Sequence, residues 1–200
     1  MSNPQIRIMF SDLLYFGESD ALAAFHKTKL KFTLQESRDK TRLYQKAWEA
    51  KEAIILPAMQ EMFGLEFYKP IIDVTLAPMF MPKSKPLIIN FRNEPDEFID
   101  TLTHELFHNL FTDNQFVQQH IYKDLLSHWT SLFGDRPRKE LVHIPVHAGL
   151  KAIYLDVLKE PYRLERDIEH TAHNAPYKAA WEYVEQNDYK EIIKKFKESY

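Results

Sequence analysis

The run His104-Glu105-Leu106-Phe107-His108 is where residue type and spacing point most directly to chemistry. Two histidines four residues apart project from one helix face about one turn apart, so both imidazoles can bind a single metal. The intervening glutamate is swung round far enough to reach a metal-bound water rather than the metal itself. This arrangement suits hydrolysis: Zn²⁺ lowers the pKa of its water to about 7, the glutamate takes the proton, and the hydroxide attacks a polarised carbonyl. Random placement would give such a string in roughly 3 of 100 chains of this composition, so the surrounding residues have to decide. At about 100° per residue, Ile99, Leu102, Leu106 and Leu110 share one apolar sector, and His104 and His108 fall nearly opposite, beside Glu97, Asp100 and Thr101. Histidines that were merely core residues would lie among the leucines.

A catalytic zinc needs a third protein ligand and an open position for water. The leading candidate is His147, in the segment Leu141-Val142-His143-Ile144-Pro145-Val146-His147-Ala148. Pro145 is read as the first turn of a helix, so His147 lies about one turn inside it, on a face shared with Leu150, Lys151, Tyr154 and Leu158. His143, on the approach to the proline, is an alternative ligand or a hydrogen-bond donor to a substrate oxyanion. Glu140 and Glu165 are carboxylate alternatives. Metal-bound imidazoles usually donate their other N–H to a carboxylate or carbonyl, which brings in Asp100, Asp156 and Asp167, each of which reads equally as a solvated helix acid. Tyr154 is a candidate oxyanion donor, and equally a core residue. Of the nine histidines, His120, His128, His170 and His173 read as surface or structural residues, and His26 carries no assigned chemistry.

These side chains need elements to hold them. Gln5–Phe10 alternates as a short strand, and a helical stretch interrupted at Gly17 follows over Ser11–Phe25. Thr33-Leu34-Gln35-Glu36 has the spacing of a capping box and should start a long helix, kinked at Pro57 and stopped at Gly64. Ile71–Leu76 and Leu87–Phe91 are β-branched runs bracketed by prolines, expected as two strands. Asn93-Glu94-Pro95 opens the helix that carries the His-Glu-x-x-His run and should end near Phe111. Further helices are expected over Asn114–Phe133, ended by Gly134, and from Pro145 to about Lys159, with Asp135–Glu140 as a charged loop. Pro161 and Pro176 divide the tail into shorter helices, the last over Tyr189–Tyr200.

Composition narrows the field. The chain has 200 residues, 44% hydrophobic and 28% charged, which suits one globular domain with a sizeable core. Without cysteine there is no disulfide, no thiolate metal site and no cysteine nucleophile, so a zinc here must be held by histidine and carboxylate, the set typical of catalytic sites. A formal net charge of −3 gives no electrostatic basis for binding nucleic acid. Met1-Ser2-Asn3-Pro4-Gln5 is no signal peptide and no run approaches ~18 apolar residues, so a cytoplasmic protein that does not engage a membrane is expected. Nucleotide-binding and serine-hydrolase motifs are missing from the sequence.

The stretch Thr101-Leu102-Thr103-His104-Glu105-Leu106-Phe107-His108-Asn109-Leu110, preceded by the strand Leu87–Phe91, resembles the active-site helix of zincin metallopeptidases. The resemblance covers roughly residues 87–111 and, more loosely, the later helix with His147. It implies His104 and His108 as zinc ligands, Glu105 as general base and a peptide or protein as substrate. His108 is followed by Asn109-Leu110-Phe111-Thr112, without the Gly-x-x-His extension of metzincins. No Glu-x-x-x-Asp ligand helix of the gluzincin type is evident, and His147 takes the corresponding downstream position. The implied fold is α+β and predominantly helical, a small sheet packed on the active-site helix with a helical C-terminal lobe. It would be one zincin-like domain over residues 1–200, with 1–111 as the upper lobe and 112–200 as the lower. The expected function is that of a zinc-dependent peptidase. The alternative is a metal-binding regulator or sensor on the same scaffold, without turnover.

Overall fold

The computed structural model describes residues 3–26, 29–92, 94–118 and 124–200. His120, Asn93 and the first two residues of the amino-terminal reading lie outside them. The described chain is mostly helical with one small mixed sheet. By packing it divides into two compact units, one formed by Pro4–Glu52 and Pro70–Glu105, the other mainly by Ala53–Lys69 and Leu106–Tyr200. The chain thus passes from one unit to the other more than once.

The first unit holds the sheet. Strand β1 (Gln5–Phe10) and β2 (Ile71–Ala77) pair in parallel, with Gln5 opposite Ile71 and Phe10 opposite Leu76. Strand β4 (Leu87–Asn90) lies parallel to β2 on its other side, and the two-residue β3 (Lys83–Ser84) closes the edge antiparallel to β4. Alternation along β1 and β2 sends Ile6, Ile8, Ile72, Val74 and Leu76 into the core, while β4 is buried at three consecutive residues, as a strand covered on both faces must be. The two longer strands coincide with the sequence expectation to within a residue or two. The short β3 has too few residues to show a period.

Helix α1 (Asp12–Ala21) is capped by the Ser11 hydroxyl and runs into a π-helical turn, Leu22–His26. Helix α2 (Leu34–Glu49) starts at the expected capping box: the Thr33 hydroxyl accepts from the Glu36 N–H, and the Glu36 carboxylate accepts from the Thr33 N–H at 2.7 Å. Tyr44 of α2 is wholly buried and does three things at once. Its hydroxyl donates to the Arg92 carbonyl and accepts from the Arg92 N–H, and its ring stacks on Phe98 with centroids 4.4 Å apart. Phe98 belongs to α4 (Pro95–Thr112), and Arg92 in turn donates to the Thr101 hydroxyl of that helix, so the first turns of α4 are fixed from the end of β4.

In the second unit, α3 (Glu52–Phe63) is a helix separate from α2. The break falls at Ala50–Lys51 rather than at Pro57, which is accommodated inside α3. Gly64 ends α3 with φ +66°, a left-handed conformation glycine adopts without strain. The region expected as one helix over Asn114–Phe133 contains α5 (Gln115–Gln118) and α6 (Leu125–Phe133), the latter started by the Asp124 carboxylate. There follow α7 (Arg138–Ala152) with a π-helical turn (Ile153–Val157), α8 (Tyr162–Thr171), α9 (Ala175–Gln186) and α10 (Tyr189–Lys197). Phe63 meets Phe107, Phe111 and Phe196 edge to face at the centre, with Phe111 at 4.7 Å, and Phe111 and Phe196 are tilted against each other at 4.9 Å.

Candidate metal centre

Helix α4 carries His104, Glu105 and His108. Ile99, Leu102, Leu106 and Leu110 are buried along one side, as the periodicity requires. The opposite side is enclosed too: His104 and Glu105 are buried and His108 is largely so. The sequence pattern alone would leave that polar face wet, and a helix polar on a buried face needs partners there.

The partner of His108 comes from α7. The Nε2 atoms of His108 and His143 are 3.2 Å apart, their rings edge to face. On its other nitrogen, His143 Nδ1 lies 2.5 Å from the Lys139 carbonyl one turn earlier. A carbonyl oxygen only accepts, so Nδ1 carries the proton and the Nε2 lone pair is the one turned toward His108. A backbone carbonyl holding the second nitrogen of an imidazole is the arrangement that orients metal-ligating histidines. One ring nitrogen each from His104, His108 and His143 lies within 4.8 Å of the other two. Tetrahedral zinc with Zn–N bonds of 2.0–2.1 Å sets its ligand nitrogens about 3.3 Å apart. The His108–His143 pair stands at 3.2 Å, close to that spacing, and His104 lies one turn back on the same helix.

The protonation states agree. Burial pushes His108 down to about 3, helped by the neighbouring His143. Burial takes His143 down to about 4, the Lys139 carbonyl bond opposing and the Lys139 ammonium adding to the shift. His147 is lowered well below the ordinary histidine value, first by burial and then by His143 and His108. These rings are neutral at physiological pH, the form that binds metal. Burial raises the Glu105 carboxyl to about 7, against the opposing pull of the Arg92 guanidinium. Among the described residues no other group of histidines and carboxylates converges in this way. The donor set therefore fits a divalent cation of borderline softness such as zinc. Comparison of the chain with protein-family models, with curated proteins and with solved structures gives no match.

Several sequence expectations change here. His147, the leading candidate for a third ligand, is not in the converging set, whereas His143, the alternative, is. The cause is where α7 begins. Pro137 precedes the first turn, α7 starts at Arg138 within the expected loop, and Pro145 sits inside the helix instead of opening it. His143 and His147 are then on one helix face a turn apart, and the ring of His147 stacks on Trp181 with centroids 4.3 Å apart. His143, read from the sequence as an alternative ligand or an oxyanion donor on the approach to the helix, thereby stands on the helix itself and within the converging set. Glu140 is ion-paired with Arg136 at 2.5 Å, and Glu165 is exposed on α8. Tyr154 is buried in the π-helical turn, roughly 16 Å further along the helix than His143 at 1.5 Å per residue, out of reach of an oxyanion formed beside it.

Asp156 accepts from the Tyr189 hydroxyl and pairs with Lys190, a structural role on the surface. Asp100 and Asp167 are half-buried on α4 and α8. His170 and His173 are exposed, and His128 meets Ser199 and Tyr200. The Lys139 carbonyl and the ring of Tyr177, 4.0 Å from that of His143, went unread in the sequence. A backbone carbonyl leaves no signal in residue types. The four-residue spacing of Tyr177 and Trp181 behind Pro176 matches that of His143 and His147, and was the available clue.

Proposed function

We propose that this protein is a zinc-dependent hydrolase of zincin type that cleaves peptide bonds in a peptide or protein substrate. One observation supports this above the others: His143 of a distant helix reaches the two histidines of the His-Glu-x-x-His run, with a buried glutamate between those two. His104, His108 and His143 would hold the ion. Zinc so held supplies a Lewis acid that acidifies water and polarises a carbonyl.

The remaining work falls to the chain's own groups. Glu105 takes the proton of the attacking water at its carboxylate and passes it to the departing amine. A carboxyl held near 7 suits both transfers at neutral pH, and a cation beside it draws it toward the carboxylate form needed first. The Lys139 carbonyl keeps the proton of His143 on Nδ1, so that Nε2 faces His108.

The test pairs two variants of the full chain, assayed by mass spectrometry on a mixed peptide library and by metal analysis. Glu105→Gln should keep its zinc and lose about 100-fold or more in turnover, the usual worth of a general base. His104→Ala should lose both zinc and turnover. If Glu105→Gln leaves activity untouched while His104→Ala abolishes it, hydrolysis by this route is wrong and the metal serves a structural or sensory purpose.

A further inference from the structure

Helices α7 and α9 place two pairs of rings in register. His143 and His147 are one turn apart on α7, and Tyr177 and Trp181 are one turn apart on α9. Tyr177 meets His143 with centroids 4.0 Å apart and planes inclined by 39°, while Trp181 stacks on His147 with planes 12° apart. Tyr177 stands 5.9 Å from the ring of His147, so its closer partner is the histidine in the converging set.

An imidazole ligand must keep both its rotation about the helix and its ring plane to hold a metal. The Lys139 carbonyl fixes one edge of His143 through Nδ1. A hydrogen bond at one edge still allows the ring to tilt about it, and a second surface against the ring removes that freedom. We infer that Tyr177 is a positioning residue for the metal centre, its aromatic ring setting the plane of His143 against the Lys139 carbonyl. This rests on His143 being a ligand and deepens that reading. The contact needed is the ring rather than the phenol hydroxyl, and Tyr177 is half-buried, so the site tolerates substitution without opening the core.

Zinc affinity of the full metal-free chain, measured by competition with a chromogenic chelator, and the visible spectrum of the Co²⁺ form would test it. Tyr177→Phe keeps the ring and should stay within about threefold of wild type, with the same Co²⁺ bands. Tyr177→Leu should bind zinc at least about tenfold more weakly, the scale seen when a group orienting a ligand is lost, with altered Co²⁺ bands. Should Tyr177→Leu fail to fold, Tyr177→Met carries the same expectation.

Trp181→Leu, which removes the equivalent ring from His147, should leave zinc affinity within about threefold. Wild-type affinity in Tyr177→Leu would overturn the inference alone. So would an equal loss in Trp181→Leu, which would mean that α9 docking in general is what matters. A wild-type chain that takes up no zinc removes the metal reading and this inference with it.

Discussion

Neutral imidazoles packed away from water make the metal-free protein sensitive to acid. An unfolded histidine takes up its proton near 6.5, whereas His108 and His143 hold out to about 3 and about 4 in the folded chain, and His147 is lowered as well. Between those values the unfolded state binds more protons, so the stability these groups contribute is complete above about pH 6.5 and is lost as pH falls toward 4. Glu105 acts the other way. Its carboxyl is raised to about 7, and its contribution is present below the ordinary carboxylate value and lost as pH rises through 7. One carboxyl against three imidazoles leaves the net slope on the side of the histidines from neutrality downward. Urea midpoints of the metal-free chain should fall steadily between about pH 7 and pH 4.5, and zinc, competing with protons for the same lone pairs, should move the decline to lower pH. A flat profile over that range would contradict the burial of neutral rings.

The approach of α7 to α4 depends on a residue without a side chain. A Cβ added at Gly149 would come within 2.6 Å of the ring of Phe107 and within 3.0 Å of Phe63, far inside contact distance. Phe107 neighbours His108 on α4, and Gly149 is less than two turns from His143 on α7, so the close approach there also governs the gap between the two imidazoles. Gly149→Ala should cost about 1–3 kcal/mol by overpacking and should weaken zinc binding as well, read by thermal unfolding and metal titration. Unchanged stability and affinity would mean that Phe107 can move aside freely.

Local signals announced most of these elements. The Thr33–Glu36 box, the alternation in β1 and β2, and the Pro95 start of α4 all lie within a few residues of what they specify. For the start of α7, Pro137 and Pro145 carry the same local signal, and only packing decides which of them lies inside the helix. With a helix opened at Pro145 it is His147 that falls one turn inside, whereas with α7 begun at Arg138 it is His143 that lies in the converging set. The pair on α4 needed no such decision, since four residues within one helix fix their own geometry.

At the scale of the molecule, each compact unit has its own buried aromatics, Tyr44 stacked on Phe98 in the sheet unit and the Phe63–Phe111–Phe196 group in the helical unit. A mostly helical chain with a small sheet was legible from the change of hydrophobic period at Ile71, although the division into two interleaved units was not, because contacts distant in sequence define it. No described helix is long and apolar enough to cross a membrane. Metal bound only by the folded chain adds to stability by mass action, so the proposed zinc centre would have a reading on the whole protein as well as at the site. The most direct measurement is zinc content after reconstitution and gel filtration, taken on wild type, His143→Ala and His147→Ala together with their thermal midpoints. Wild type and His147→Ala are expected to retain one zinc per chain and to lose thermal stability on chelation, while His143→Ala retains almost none. A substoichiometric wild type, or zinc kept by His143→Ala and lost by His147→Ala, would contradict a centre built from His104, His108 and His143.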